Sequence, residues 1–262
     1  MKIATWNINS IRIRLPLLAR LVHEHSPDIL CLQETKVMEE LFPVLDVMAL
    51  GYPHVVFSGQ KSYNGVAIFS RIPLSDIKRE DWLNNQEKRH IQASLPCGTE
   101  IHNFYVPAGG DVPDVQSNKK FADKLAFMRA MTVWSSALKK NARAILVGDL
   151  NIAPYEHDVW SHKQLLDVVS HTPIEVEHMA ALRQSAQWVD TARHFTPMQE
   201  KLYSWWSYRN RDWALSNRGR RLDHIWVTPA LSSGVISSAT LREVRAWEST
   251  SDHVPVMLEL SL

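Results

Sequence analysis

The segment VGDLNIAP, residues 147–154, ends an apolar run with a carboxylate and an amide, Asp149 and Asn151, separated by Leu150. Side chains on a regular strand alternate, so the two polar groups would share a face while Leu150 points the other way. TWNIN, near the N-terminus, repeats the pattern with Asn7 and Asn9 around Ile8. Such pairs are costly unless hydrogen-bonded or open to a cleft, although Asp and Asn also serve simply to cap turns. LQETK (32–36) places Glu34 just after the run Ile29–Leu32. Its carboxylate could pair with Lys36 or hold a hard cation such as Mg2+, which prefers carboxylate oxygens and keeps several waters. TSDHVPVMLEL sets Asp252 beside His253 ahead of a final strand. Adjacent residues on a strand face opposite ways, so their joint use requires irregular backbone, for which nearby Pro255 gives a cause. In RRLDHIWV, Asp223 could fix a histidine tautomer and stabilise its protonated form.

These groups need elements to position them. Short β-like runs span 2–6, 28–33, 54–58, 65–70, 91–95, 101–106, 144–149, 222–227 and 254–260. Some are continuously apolar and others alternate, as in sheets covered on one or both faces. A first helix is expected with Pro16 near its start and Leu18, Leu21, Val22 and His25 at helical spacing, stopped by Pro27. A second runs from about Asn118, as N-cap, to Asn141, with Phe121, Leu125, Met128 and Leu138 on one face, and a third covers Pro173 to Trp188. Asn7, Glu34, Tyr105, Asp149, Asn151, Asp223, Asp252 and His253 then all fall at or near strand ends in separate segments. A site along one rim of a sheet structure would distribute its residues in this way.

Composition sets the outer limits. The 262 residues are 45% hydrophobic and 22% charged with no long single-sign block, as in an ordinary globular protein. A formal net charge of +1 neither indicates nor excludes a nucleic-acid partner, because local patches decide that. Cys31 and Cys97 are far apart, without metal-like spacing, and Cys31 reads as a buried free thiol. The N-terminal residues lack an apolar signal region and no stretch approaches a membrane span. A reducing, cytoplasmic setting and one α/β domain over 1–262 are expected, with no membrane association.

The ordered motifs TWNINSIRIR, LQETK, GQKSYNGVAIFSR, NFYVPAGG, VGDLNIAP, SWWSYR, NRGRRLDHIWV and SDHVPV resemble the exodeoxyribonuclease III-like AP endonucleases. That family lies within the larger endonuclease/exonuclease/phosphatase superfamily, and the resemblance runs essentially end to end. It implies a four-layer αββα sandwich, two packed mixed β-sheets flanked by helices, and metal-assisted phosphodiester hydrolysis. By the same resemblance Glu34 and Asp252 hold Mg2+, replaceable by Mn2+, with help from Asn7 and Asn9. Asp149 takes the proton of the attacking water, with His253 the alternative base, and Asn151 positions that water or the phosphate oxygens. His253, paired with Asp223, donates to the phosphate, and Tyr105 lies beside the phosphate or leaving group. A second metal mode would instead use Asp149, Asn151 and His253.

The implied substrate is double-stranded DNA with nicks, 3′ blocks or abasic sites, bound by a monomer. Between Lys201 and Arg221 six basic residues face one acidic residue, interleaved with Trp205, Trp206, Tyr208 and Trp213. Basic groups match phosphates and aromatics stack on bases or wall a sugar pocket. The DNA contacts expected are Lys61, Arg89, Trp205, Trp206, Arg218 and Arg220, although tryptophan core and solvated arginine would read alike. Arg220 stands where relatives carry an apolar or aromatic pocket wall, and Ala108 where they often carry a polar residue. With bulky Trp160 and His162, these departures favour 3′-end processing over cleavage at abasic sites. Two other classes compete: a phosphoesterase of another superfamily branch, acting on inositol phosphates or phospholipid head groups, and a non-catalytic nucleic-acid-binding relative.

Overall fold

Parallel strand neighbours require a crossover of a dozen residues or more, usually a helix, and two such crossovers organise the chain. The structure is a computed structural model describing residues 1–262. β1 (Lys2–Asn7) and β2 (Ile29–Gln33) pair in parallel across α1 (Ile11–His25). α2 (Val44–Ala49) then leads to β3 (His54–Ser58), β4 (Val66–Ser70), β5 (Ser75–Lys78) and β6 (His90–Ser94). β7 (Glu100–Tyr105) and β8 (Ala144–Asp149) form the second parallel pair, across α3 (Lys119–Ser136). α4 (His162–Leu165), α5 (Pro173–Ser185), β9 (Val189–Asp190), β10 (Trp205–Trp206), β11 (Gly219–Arg220), β12 (Asp223–Val227), β13 (Val235–Thr240) and β14 (Val256–Leu260) complete the order used below.

Two mixed six-stranded sheets result, ordered β13-β14-β1-β2-β4-β3 and β5-β6-β7-β8-β12-β9, with β10-β11 as a separate ribbon. Their inner faces meet in one apolar cluster, in which Ile3, Cys31 and Ile68 of the first sheet lie with Ile101, Val147 and Ile225 of the second. Ala4, Trp6, Leu30 and Phe69 on the outer face of the first sheet pack with Leu18 and Leu21 of α1. Phe104, Leu146 and Trp226 on the outer face of the second pack with Phe127, Met128 and Met131 of α3 and Met179 and Leu182 of α5. Three apolar seams between four layers are the expected αββα sandwich. Near the strand ends that carry Glu34 and Tyr105 the sheets are also joined by polar groups, since Gln33 Nε2 donates to Asn103 Oδ1 at 2.6 Å and Asn103 Nδ2 to the carbonyl of Leu32 at 2.9 Å.

Several expected boundaries differ for local reasons. α1 begins at Ile11, with Pro16 inside it, because the Glu34–Thr35 turn supplies acceptors for the entering backbone. Ser10 N bonds Glu34 O at 2.7 Å and Ile11 N bonds Thr35 O at 3.1 Å. α3 starts at the expected cap, where the Asn118 side chain accepts from Lys120 N, but ends at Ser136 rather than Asn141. The chain turns there to enter β8. α5 stops at Ser185, short of Trp188. Both cysteines are free, Cys31 in the inter-sheet core and Cys97 exposed. No helix is long and apolar enough to cross a membrane.

Candidate active site

Asn7 ends β1, Glu34 follows β2, Tyr105 ends β7 and Asp149 ends β8, so the carboxyl ends of both parallel pairs supply a polar side chain to one rim. Asp223 opens β12 in register with Asp149. The loop before β14 contributes Asp252 and His253, held by Trp6 Nε1 on the His253 carbonyl (3.0 Å) and by Ser251 Oγ on the Asn7 carbonyl (2.7 Å). Arg14 of α1 stitches the same loop to the N-terminal motif, donating to the carbonyls of Asn9, Ser249 and Thr250.

The expected irregularity around Asp252 is present. Asp252 Oδ2 accepts from Trp205 Nε1 at 2.9 Å, while His253 Nδ1 turns to Asp223 Oδ2 at 2.8 Å. The alternation expected for Asp149 and Asn151 is replaced by a turn. β8 stops at Asp149, and Asn151 adopts a left-handed backbone (φ 53°). Its N–H donates to Asp149 Oδ1 (2.9 Å), and its Nδ2 donates to Asp149 Oδ2 (3.1 Å) and to Val106 O (2.9 Å). Gly148 makes this exit possible: its φ is 139°, and a Cβ there would lie 1.9 Å from Phe104 O. Leu150 is fully buried under the turn, as expected of an anchor.

Asp149 and His253 carry the electrostatics. His253 Nε2 lies 3.7 Å from Asp149 Oδ2, and Asp223 accepts from the other ring nitrogen. Burial pushes the Asp149 carboxyl up, to about 7, against the opposing pull of the His253 charge. For His253 burial acts to lower the value, but the carboxylates of Asp223 and Asp149 outweigh it and raise the ring to about 10. The result is an imidazolium beside a carboxylate able to exchange its proton near neutrality. Ser204 Oγ donates to Asp223 Oδ2 at 2.6 Å and accepts from the N–H of Leu222 and Asp223, fixing the supporting carboxylate.

Glu34 stays ionised. Burial opposes the charge, but Lys36 and the donors Asn7 and Tyr105 hold its carboxyl below the usual range. Tyr105 OH donates to Glu34 Oε1 at 2.7 Å, and burial beside carboxylates keeps that phenol protonated. Lys36 Nζ sits 2.7 Å from both Glu34 Oε2 and Asn9 Oδ1, so two oxygens already share a positive charge at this point. The carboxylates of Glu34 and Asp252 and the amide oxygen of Asn9 are hard oxygen donors of the kind a divalent ion takes, and Asp252 Oδ1 lies 3.4 Å from Asn9 Nδ2. Asn7 lies between the Glu34 and Asp149 carboxylates. Its Nδ2 donates to Glu34 Oε1 (2.9 Å) and Asp149 Oδ2 (2.8 Å) while its Oδ1 accepts from Asn9 N. Asn7 therefore bridges two carboxylates through its amide nitrogen. Donor atoms of Asp149, Asp223 and His253 lie within 4.8 Å of one another, so two of the three residues named for a second metal mode, Asp149 and His253, come together there with Asp223 rather than Asn151 as the third member of the group.

The rim opens into a cleft of about 1020 Å3 lined by Glu34, Tyr105, Asn151, Asp252 and His253 together with Trp160, Trp205, Arg218 and Arg220. Arg220 stacks over Trp205 (5.3 Å to the ring centre), and its NH1 donates to Val169 O (2.9 Å) and Ser170 Oγ (2.6 Å). Arg218 lies 4.7 Å over Trp160. Arg89 sits 4.8 Å over the Tyr105 ring and pairs with Glu87, and Lys61 is exposed. Trp206 corrects the expected DNA contact: it is 1% exposed within the core against α1, with its Nε1 bonded to Asn217 Oδ1. No face of that indole is free to stack on a base.

Sequence reasoning missed Trp6, Arg14, Ser204, Lys124 and Glu175. Lys124 carried a signal by lying on the apolar face of α3 defined by Phe121, Leu125 and Met128, and Glu175 by closing the capping-box pattern Thr172-Pro-Ile-Glu at the start of α5.

Residues 4–253 match the Endonuclease/Exonuclease/phosphatase family. Exodeoxyribonuclease III of Haemophilus influenzae is 30% identical, covering 99% of each chain. The DNA repair nuclease APEX1 of Danio rerio is 29% identical, covering 100% of this chain and 83% of its own. Among solved structures, a 3′ phosphatase, NExo, from Neisseria bound to product DNA hairpin superposes with a TM-score of 0.92 at 32% identity, covering 100% of both chains. An AP endonuclease from Archaeoglobus fulgidus gives 0.92 at 33% identity, with the same coverage.

Proposed function

Because the chain belongs to the endonuclease/exonuclease/phosphatase family, we propose that it is a Mg2+-dependent DNA repair hydrolase working at 3′ ends, as a 3′–5′ exonuclease and 3′-phosphatase, with incision at abasic sites as a further activity. One observation carries the reading: His253, hydrogen-bonded to Asp223 and 3.7 Å from Asp149, lines one cleft with the Glu34 and Asp252 carboxylates. The reading treats residues 1–262 as one domain acting as a monomer in the cytoplasm, with Mn2+ able to replace Mg2+.

A divalent ion at Glu34, Asp252 and Asn9 would neutralise charge on the phosphate oxygens. The chain's own groups do the rest. Asp149 accepts the proton of the attacking water, held against drift by Asn7 Nδ2 and Asn151 N. Asn151 keeps its Oδ1 clear of protein partners to orient that water. His253 Nε2–H faces the phosphate oxygen on which charge grows, a fixed donor in a nearly dry site. Tyr105, protonated and bonded to Glu34, lies where the leaving oxygen departs.

Purified protein is to be given a duplex with a 3′-phosphate nick, a duplex with an abasic-site analogue, and inositol phosphate, each with Mg2+ and again with EDTA. Phosphate release from the nick that EDTA abolishes is the expected result. Turnover of inositol phosphate alone would place the chain in another branch, and DNA binding without turnover would make it a non-catalytic relative. Arg220, tethered across the cleft, limits the space for an internal sugar. Arg220→Ala is expected to raise abasic-site incision relative to 3′-phosphate release by about tenfold, the scale on which pocket shape discriminates; an unchanged ratio removes Arg220 from the specificity argument.

A further inference from the structure

Lys124 and Glu175 form an ion pair at 2.5 Å with both side chains 0% exposed. Pairs of this kind are poor stabilisers compared with apolar residues of the same volume, so their presence points to a geometric task. An ammonium has three N–H donors, and here each has an acceptor: Glu175 Oε1, the carbonyl of Asn151 at 2.7 Å and the carbonyl of Ala108 at 3.3 Å. Glu175 in turn accepts from Ser170 N, Thr172 N and Thr172 Oγ1, closing the cap of α5. Ser170 Oγ is the group that tethers Arg220. One buried pair thus joins α3 and α5 to three segments of the cleft. Gly109 marks how tightly the lysine is held, since a Cβ there would lie 2.9 Å from Lys124 Cδ.

We propose that Lys124 and Glu175 are positioning residues for hydrolysis. They lock the left-handed turn at Asn151, and with it the hold of Asn151 on Asp149, without touching the substrate. The proposal rests on the DNA-hydrolase reading above. Asn151 is the sensitive point because its backbone is in the left-handed region and its carbonyl takes one of the three lysine donors. Removing that donor frees the turn to relax, and a displacement of about 1 Å in a reacting group can lower turnover about 10²-fold.

The test uses Lys124→Met/Glu175→Gln, which leaves no unpaired buried charge and keeps an acceptor for the 170–172 turn. On the 3′-phosphate nick with Mg2+, kcat is expected to fall about 10²-fold with KM within about threefold of wild type. The melting temperature stays within a few degrees, and the side-chain amide signal of Asn151 in a 15N–1H spectrum, assigned by its loss in Asn151→Ala, shifts or broadens. Wild-type kcat together with an unmoved Asn151 signal overturns the proposal, as does a parallel change in kcat and KM. Should the double variant not fold, Lys124→Arg decides, because it keeps the charge but displaces the donors. A kcat at least tenfold lower at constant KM supports the proposal and an unchanged kcat overturns it. Wild-type protein that releases no phosphate would defeat the functional reading, and the Asn151 signal would still judge the positioning claim.

Discussion

Asp149→Asn is expected to lower kcat on a 3′-phosphate nick by about 10³-fold, within the range general-base catalysis contributes, with KM nearly unchanged. The substitution keeps shape and volume but removes the lone pair that takes the proton of water. It also replaces one of the two carboxylate oxygens with an NH2 group, so the donors around residue 149, which include Asn7 Nδ2 and Asn151 Nδ2, lose an acceptor and the turn becomes less ordered. Steady-state kinetics at neutral pH and saturating Mg2+ check the prediction. Turnover within a few-fold of wild type would hand the base role to His253.

His253→Asn should cost about 10²- to 10³-fold in kcat, the usual loss when a preorganised donor to developing charge is removed. Its pH counterpart is sharper. Asp149 is raised, so the free enzyme gains activity as pH rises through about 7 and the base loses its proton. His253 is raised, so the donor is charged below about 10 and activity falls as pH passes that value. Asp223 contributes to both elevations, since its negative charge disfavours ionisation of Asp149 and favours that of His253. Asp223→Asn should therefore move both limbs of the kcat/KM profile to lower pH. A profile displaced upward, or unmoved, would show that Asp223 does not set these charges.

The rim was legible because its residues interrupt apolar strands with groups that such positions rarely tolerate. Glu34 after ILCLQ and Asp149 after AILVG stand out for that reason, and the sandwich that gathers them was implied by family resemblance rather than by the strand list. What escaped notice has physical causes. β13 (VISSAT) and β5 (SDIK) are largely exposed edge strands without a clean apolar period. Trp206 and Trp205 are neighbours in sequence on opposite faces of a ribbon, so one enters the core and the other the cleft, and composition cannot tell them apart. Asn7 and Asn9 look equivalent as an alternating pair, yet amide orientation makes Asn7 a donor to carboxylates and turns the Asn9 oxygen toward a cation. The left-handed turn at Asn151 depends on a lysine 27 residues earlier in the chain, and local sequence contains no trace of that contact.

Crystals of the protein with a nicked duplex, grown with Mn2+ and measured for anomalous scattering, test the central claim most directly. The account predicts a peak about 2.1 Å from carboxylate oxygens of Glu34 and Asp252, with the phosphate between that ion and Asn151 and His253. A peak held by Asp149 and His253 with none at Glu34 would contradict it, because the proposed base would then be a ligand and the proposed metal seat empty.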